Sequence, residues 1–311
     1  MIKVAFVILN YESTLETIKC IQAILKLEYE NKDIVVVDNA SKDSQELWKQ
    51  VREKLGHNDR IHCLSASQNG GYAKGNNIGL AYAKNKLKCE FICVLNPDTI
   101  IRDTKFIYTF LNEYSKYHYA VCGPKILCNG SNCNPLRGYS ESIWFQIYHI
   151  IENYRIYFVK KFRLSRFRIK KRAGNGCIKK AEKRTEIDTL ILEKKKGMQL
   201  SGACLIFSPL YLKKYKGFYD GTFLYCEETI LACACFNTGL KMMYLDSLCV
   251  YHEGGKSVEH FKENENERQM YISKTGAKSC QKVLYVLLHK TNKAFWNNVL
   301  NCNTVEYTEI N

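Results

Sequence analysis

Phe91-Ile92-Cys93-Val94-Leu95-Asn96-Pro97-Asp98 opens as an uninterrupted apolar run and stops at an Asn-Pro pair. Such a run suits a strand covered on both faces of a sheet. Proline cannot donate to a sheet ladder and biases the residue before it away from helix, so the strand ends there. One carboxylate, Asp98, follows at once, with Thr99 beside it. In open α/β sheets, ligands bind beyond the carboxyl ends of the strands. An acid delivered to that edge is placed to hold a hard cation and its phosphate partner. Asn-Pro-Asp alone is also an ordinary turn, so the neighbouring elements decide.

Upstream, Ile2 to Leu9 is a β-branched apolar run that ends at Asn10-Tyr11. Ser13-Thr14-Leu15-Glu16 has the form of a capping box, and Leu15, Ile18, Ile21, Ile24 and Leu25 then recur at helical spacing. Ile34 to Val37 is a second buried strand ending in Asp38-Asn39-Ala40-Ser41-Lys42-Asp43, followed by a helix over about 44–55 and a short strand near Ile61–Leu64. This alternation with short links predicts a mostly parallel central sheet with helices on both faces. Asp38, at a strand end, is placed to accept hydrogen bonds from a ribose or base. Ser41 and Asp43 read as helix N-caps. Gln68-Asn69-Gly70-Gly71-Tyr72-Ala73-Lys74-Gly75-Asn76-Asn77 lets backbone approach a ligand, with Lys74 as a cation and a helix N-terminus favouring an anion. It is neither a Walker A loop nor a Gly-x-Gly-x-x-Gly turn after the first strand.

With 46% hydrophobic and 25% charged residues among 311, the composition is that of a folded soluble protein. Met1-Ile2-Lys3 runs straight into a strand without a cleavage site. The fifteen cysteines lie mostly inside apolar stretches, without paired Cys-x-x-Cys motifs, which points to free thiols in a reducing cytoplasm. The net charge of +15 calls for an anionic partner and is concentrated, with about fifteen Lys and Arg against about four acids over 160–196. Just upstream, the aromatic and aliphatic run from Ile143 to Val159 is too short and polar to span a bilayer. It fits either a segment lying on an anionic membrane surface or a core helix with a charged flank. Nucleic acid would rest on charge alone, and no nucleic-acid partner is expected.

The segments Val35–Asp43, Asn69–Asn77 and Leu95–Asp98, in this order and spacing, resemble the GT-A glycosyltransferases of family 2, most of all the rhamnosyltransferase-type branch. The likeness continues at Ser201–Leu205, Phe223–Glu228 and Val250–Ser257, covering roughly 3–257. It implies a GT-A domain over 1–257, with a basic and aromatic insertion at about 143–196, and a helical extension over 258–311. It also implies inverting transfer from a nucleoside-diphosphate sugar to a glycan or lipid-linked acceptor, as a hexosyl- or rhamnosyltransferase of cell-surface polysaccharide synthesis. The location implied is cytoplasmic, peripheral on the inner face of the plasma membrane.

In that resemblance, Asn96-Pro97-Asp98 occupies the place of the family's Asp-x-Asp motif, so Asp98 would hold Mg²⁺ or Mn²⁺ against the diphosphate, with His252 as a second metal ligand. The implied donor-binding set is Asn10, Asp38, Asn39, Gly71, Lys74, Asn76, Asn96 and Asp98. Glu227-Glu228 matches a Glu-Asp pair, with Glu228 as the base that takes the acceptor proton and Glu227 in support. The branch usually has a further Asp and, four residues on, an Arg; here those places are Ile230 and Ala234. Their loss leaves a second reading open, a catalytically weakened sugar-nucleotide-binding or assembly protein of the same fold.

Overall fold

The computed structural model describes residues 1–162, 188–252, 264–301 and 306–310. The basic run at 163–187 and the Gly254-Gly255-Lys256-Ser257 stretch fall outside the described residues. Four apolar runs form parallel strands: β1 (Val4–Asn10), β2 (Lys32–Asp38), β3 (Ile61–Ala66) and β4 (Phe91–Leu95), in spatial order β3-β2-β1-β4. Register sets Ile8 beside both Val36 and Leu95, and Asn10 beside Asp38, so the polar ends of β1 and β2 share one edge. The intervening helices are α1 (Thr14–Leu25), α2 (Ser44–Leu55) and α3 (Gly71–Asn85).

Strand side chains alternate between two apolar layers. Ala5, Val7, Val35 and Val37 pack with Ile78 and Leu80 of α3, whereas Phe6, Ile8, Ile34 and Val36 pack with Ile18 and Ile21 of α1 and Leu47 of α2. Each fully buried Val, Ile or Phe stabilises this arrangement by about 1.5–3 kcal/mol relative to exposure. Helices therefore cover both faces, as the continuous apolar runs require.

Beyond β4 come β5 (Thr99–Ile101), α4 (Phe106–Tyr117), β6 (Val121–Cys128), the short β7 (Ser131–Asn132) and β8 (Leu136–Arg137), and then α5 (Ile143–Lys161). After the basic run follow β9 (Leu190–Leu192), β10 (Met198–Gln199), β11 (Cys204–Phe207), α6 (Pro209–Leu212), α7 (Glu227–Thr238) and β12 (Met242–His252). The sheet continues β4-β11-β6-β12-β5; β6 and β12 pair in parallel, while β11 and β5 run antiparallel to their neighbours. Antiparallel β11 starts at the Asp98 edge of the sheet, with Cys204 opposite Leu95, and runs away from it to Phe207 opposite Ile92.

The tail comprises α8 (Glu265–His289), α9 (Lys293–Val299) and β13 (Tyr307–Ile310). The wholly helical tail expected from sequence is corrected here, because β13 adds an antiparallel edge strand to β3. α8 lies antiparallel along α5: Lys290 and Lys194 pair with Glu141 ahead of α5, while Lys160 near its end donates to Asn266. The aromatic run is thus a helix packed on the tail. Two N-cap expectations also change. Ser13 stands at the N-cap of α1 but turns its hydroxyl to the Tyr11 carbonyl, and Asp43 at the N-cap of α2 makes no side-chain cap.

Candidate active site

Four side chains meet where β1 and β2 end. Asn10 Nδ2 donates to Asp38 Oδ1 at 2.8 Å, and Thr17 Oγ1 donates to Asn10 Oδ1 at 2.8 Å. Ser41 donates twice to Asp38, through its hydroxyl at 2.6 Å and its backbone N–H at 3.1 Å. Ser41 is therefore a partner of Asp38 rather than the N-cap read from sequence. Asn10 and Asp38 are fully buried and the Asp38 oxygens are held by these donors, which fixes the strand-end geometry from inside.

The glycine-rich segment opens α3. Asn39 accepts from the Gly70 N–H and donates to the Asn69 side chain and the Gly71 carbonyl, fastening the β2 end to the loop. Gly71 has φ +82, and a Cβ there would lie 2.0 Å from the Phe223 carbonyl oxygen, so only glycine fits. That carbonyl accepts from Tyr72 N at 2.8 Å. Lys74 is half-buried in the first turn of α3, whereas Asn76 is fully buried. Asn76 Nδ2 caps the Tyr72 carbonyl and its Oδ1 has no hydrogen-bond partner.

At the β4 end the strand stops as the Asn-Pro pair predicts. Asp98 is buried, and its Oδ1 lies 3.0 Å from His252 Nε2 at the end of β12 without a well-formed hydrogen bond. The register of β12 on β5, with His252 opposite Thr99, brings these two residues together across 154 positions of sequence (252 − 98). Cys128 Sγ lies 3.7 Å from His252 Nδ1 on the other side of the ring. No group of three or more His, Cys, Asp or Glu able to hold an ion is present among the described residues. Two convergent ligands, one an unsatisfied buried carboxylate oxygen, still fit a hard cation whose remaining positions come from phosphate oxygens and water.

The acidic pair opens α7 behind two residues in left-handed backbone, Tyr225 (φ 74) and Cys226 (φ 70). Such backbone in non-glycine residues costs on the order of 1–3 kcal/mol each and persists where surroundings over-determine it. Glu228 Oε1 accepts from the Gly202 N–H at 3.2 Å, and Gly202 in turn accepts from Tyr72 Oη at 2.7 Å. Burial raises the Glu228 carboxyl above its ordinary range. Burial, and then the charge of Glu228, push Glu227 up to about 8. Burial first and the nearby Glu228 next raise the Tyr72 phenol, so it stays a donor. Both carboxyls are thus raised by burial, and Glu227 further by the charge beside it.

The two centres are joined through three residues. Ala203 O accepts from Asn96 N at 3.0 Å and from Thr99 Oγ1 at 3.3 Å, while the preceding Gly202 holds Glu228 and Tyr72. The Ser201–Ala203 segment therefore couples the Asp98 edge, the glycine-rich loop and the acidic pair. Asn10, Asp38, Asn39, Gly71, Asn96, Asp98, His252, Glu227 and Glu228 all belong to this linked framework. Tyr72, Gly202, Thr17 and Cys128 were given no role in the sequence reading. Tyr72 lay inside the quoted glycine-rich segment, but its partner is 130 residues away.

The model for glycosyl transferase family 2 matches residues 5–178. The chain belongs to that family. It is 34% identical over 125 residues to the low-salt glycan biosynthesis hexosyltransferase Agl10 of Haloferax volcanii, a match that spans 40% of this chain and 36% of that relative's length. Among solved structures, TarS 1-349 of S. aureus in complex with UDP aligns at a TM-score of 0.55 with 14% identity, covering 96% of this chain and 70% of that one. The mannosyltransferase PcManGT of Pyrobaculum calidifontis, in complex with GDP-Man and Mn2+, aligns at 0.51 with 12% identity, covering 93% and 73%. At such identities the likeness is one of fold. This member of family 2 thus has the GT-A architecture that the resemblance implied. Ile230 and Ala234, where the rhamnosyltransferase-type branch carries Asp and Arg, are buried in the apolar layer of α7.

Proposed function

We propose that this glycosyltransferase performs an inverting, divalent-metal-assisted transfer of a hexosyl group from a nucleoside-diphosphate sugar to a hydroxyl of a glycan or lipid-linked glycan, in cell-surface polysaccharide synthesis. The observation that carries this reading is the linkage of the Asp98–His252 pair, whose Asp98 Oδ1 lacks a hydrogen-bond partner, to Glu228 through Gly202 and Ala203. Asp98 and His252 would hold Mg²⁺ or Mn²⁺, which would supply Lewis-acid neutralisation of charge on the leaving diphosphate. Lys74 and the backbone around Gly71 face the donor, and Asp38 with Asn10 and Asn39 shape the nucleoside end. Glu228 takes the proton of the acceptor hydroxyl as that oxygen attacks the anomeric carbon from the side opposite the leaving group. Glu227, which retains its proton, adds no second negative charge to the pocket. The enzyme works at the cytoplasmic face of the plasma membrane.

The test is donor turnover with UDP-, dTDP- and GDP-sugars, Mn²⁺ or Mg²⁺, and detection of released nucleoside diphosphate, with lipid-linked acceptors added. Turnover of one donor, lost in Asp98→Ala and in Glu228→Gln, is the expected result. Donor binding without turnover, unchanged by Glu228→Gln, replaces this reading with the weakened, binding-only protein.

A further inference from the structure

The outward face of α5 carries Trp144, Tyr148, Ile151, Phe158 and Phe162, all exposed. At about 100° per residue these fall within about 80° of arc, so they form one ridge along the helix and its end. The opposite face is the one that packs: Asn153 sits against Gly276 of α8, and Lys160 donates to Asn266. Nothing among the described residues covers the ridge. Trp144 is 79% exposed and Ile151 62%, which is unusual for large apolar side chains grouped on one surface.

Cations flank this ridge. Lys161 Nζ lies 5.6 Å from the Phe162 ring and 5.7 Å from the Tyr157 ring, and Lys274 of α8 approaches Tyr157 at 5.8 Å. Lys274, Lys278 and Lys282 repeat at four-residue spacing on the exposed side of α8, and no acid occurs from Gln269 to Lys290. On α5 the one acid, Glu152, is held by Arg155 in a two-pronged pair at 2.7 and 2.8 Å. The sequence continues from Phe162 into 163–187, which holds ten Lys and Arg against two Glu.

We propose that the α5–α8 pair is the surface by which this enzyme docks on an anionic lipid bilayer, with the aromatic ridge entering the headgroup region and the lysines meeting lipid charge. Apolar side chains in one narrow stripe, aromatic rings and flanking cations in excess of acids are what an interfacial helix presents. A second copy of the chain does not fit as well, because cations outnumber acids on this surface and it would set lysines against lysines. Nucleic acid would satisfy the lysines but leave Ile151 and Phe158 against water. The surface also has a mechanical tie to the catalytic loop: Ser279 Oγ of α8 donates to the Leu224 carbonyl at 2.7 Å, three residues before Glu227. Docking therefore sets the acidic pair close to where a lipid-linked hydroxyl arrives. The proposal deepens the membrane part of the proposed function and rests on it for that last step, whereas the docking itself is independent of the transfer chemistry.

The three tryptophans provide the test, because Trp48 and Trp296 are buried at 5% and 0% exposure and Trp144 alone reports the ridge. Vesicles of phosphatidylglycerol and phosphatidylcholine should shift the emission to the blue, and brominated acyl chains should quench it; phosphatidylcholine alone should do neither. Trp144→Phe should lose the shift yet still sediment with anionic vesicles. Ile151→Ser with Phe158→Ser should reduce sedimentation at least tenfold. Lys274→Gln, Lys278→Gln and Lys282→Gln together should weaken binding on the order of a hundredfold. All three should keep wild-type donor hydrolysis in vesicle-free solution. Sedimentation without a Trp144 shift, or sedimentation unaffected by the ridge and lysine variants, overturns the proposal. So does a dimer, measured by light scattering without lipid, that the ridge variants convert to monomer. Vesicle binding by a protein that turns over no donor would leave the docking surface standing and remove the transfer reading instead.

Discussion

Glu227 is buried at 4% exposure with Oε1 lacking a hydrogen-bond partner, and its neighbour Glu228 adds negative charge. The carboxyl titrates at about 8 in the folded protein, against a value near 4.5 when unfolded. Between those values the native state binds the proton and the unfolded state does not. Stability from this group is therefore fully present below about pH 4.5 and is lost as pH rises through about 8. Each tenfold in acidity is worth about 1.4 kcal/mol, so the loss is on the order of a few kcal/mol, a large part of a domain's total stability. Glu227→Gln keeps the shape and a neutral polar end but has no proton to lose. In urea unfolding it should match the wild type near pH 4.5 and exceed it at pH 9, with the difference growing between. Equal stability differences at both pH values would refute the account of a proton held on Glu227.

Two further perturbations probe the joints of the site. Gly71→Ala places a methyl 2.0 Å from the Phe223 carbonyl in left-handed backbone; the Tyr72–Phe223 bond should break, with a loss of about 2–4 kcal/mol in denaturant unfolding and of donor turnover. Cys128→Val removes the group 3.7 Å from His252 Nδ1, and the Mn²⁺ concentration for half-maximal turnover should rise about tenfold while KM for the acceptor is unchanged.

The strand framework was legible because burial on both faces demands unbroken apolar runs, and β1, β2 and β4 supply them. Asp98 was legible for a related reason: a proline ended its strand just before the acid. What stayed hidden depends on contacts distant in sequence. Tyr72 meets Gly202 across 130 residues, and no periodicity encodes that meeting. The edge strand β13 is short, exposed and polar, so Tyr307-Thr308-Glu309-Ile310 offers little pattern to read. Ser13-Thr14-Leu15-Glu16 has the right letters for a capping box, but the hydroxyl satisfies the nearer Tyr11 carbonyl, a local competition that serine side chains often win.

Ile230 and Ala234 bear on whether the acidic pair works without the branch's Asp and Arg. In this chain α7 is buried from Thr229 to Cys235 on every side. A charge at 230 or 234 would have to be desolvated there, and a lone buried charge is costly unless paired. The apolar residues are thus part of a consistent packing change and leave no vacant charged socket. Orientation of Glu228 comes instead from the Gly202 N–H, itself fixed through Tyr72 and the glycine-rich loop. In this arrangement the glycine-rich loop and Glu228, the proposed base, share one scaffold. Under the proposed mechanism, a Glu228 aligned from the glycine-rich loop needs no partner on α7, and the absence of that Asp and Arg is compatible with the proposed transfer.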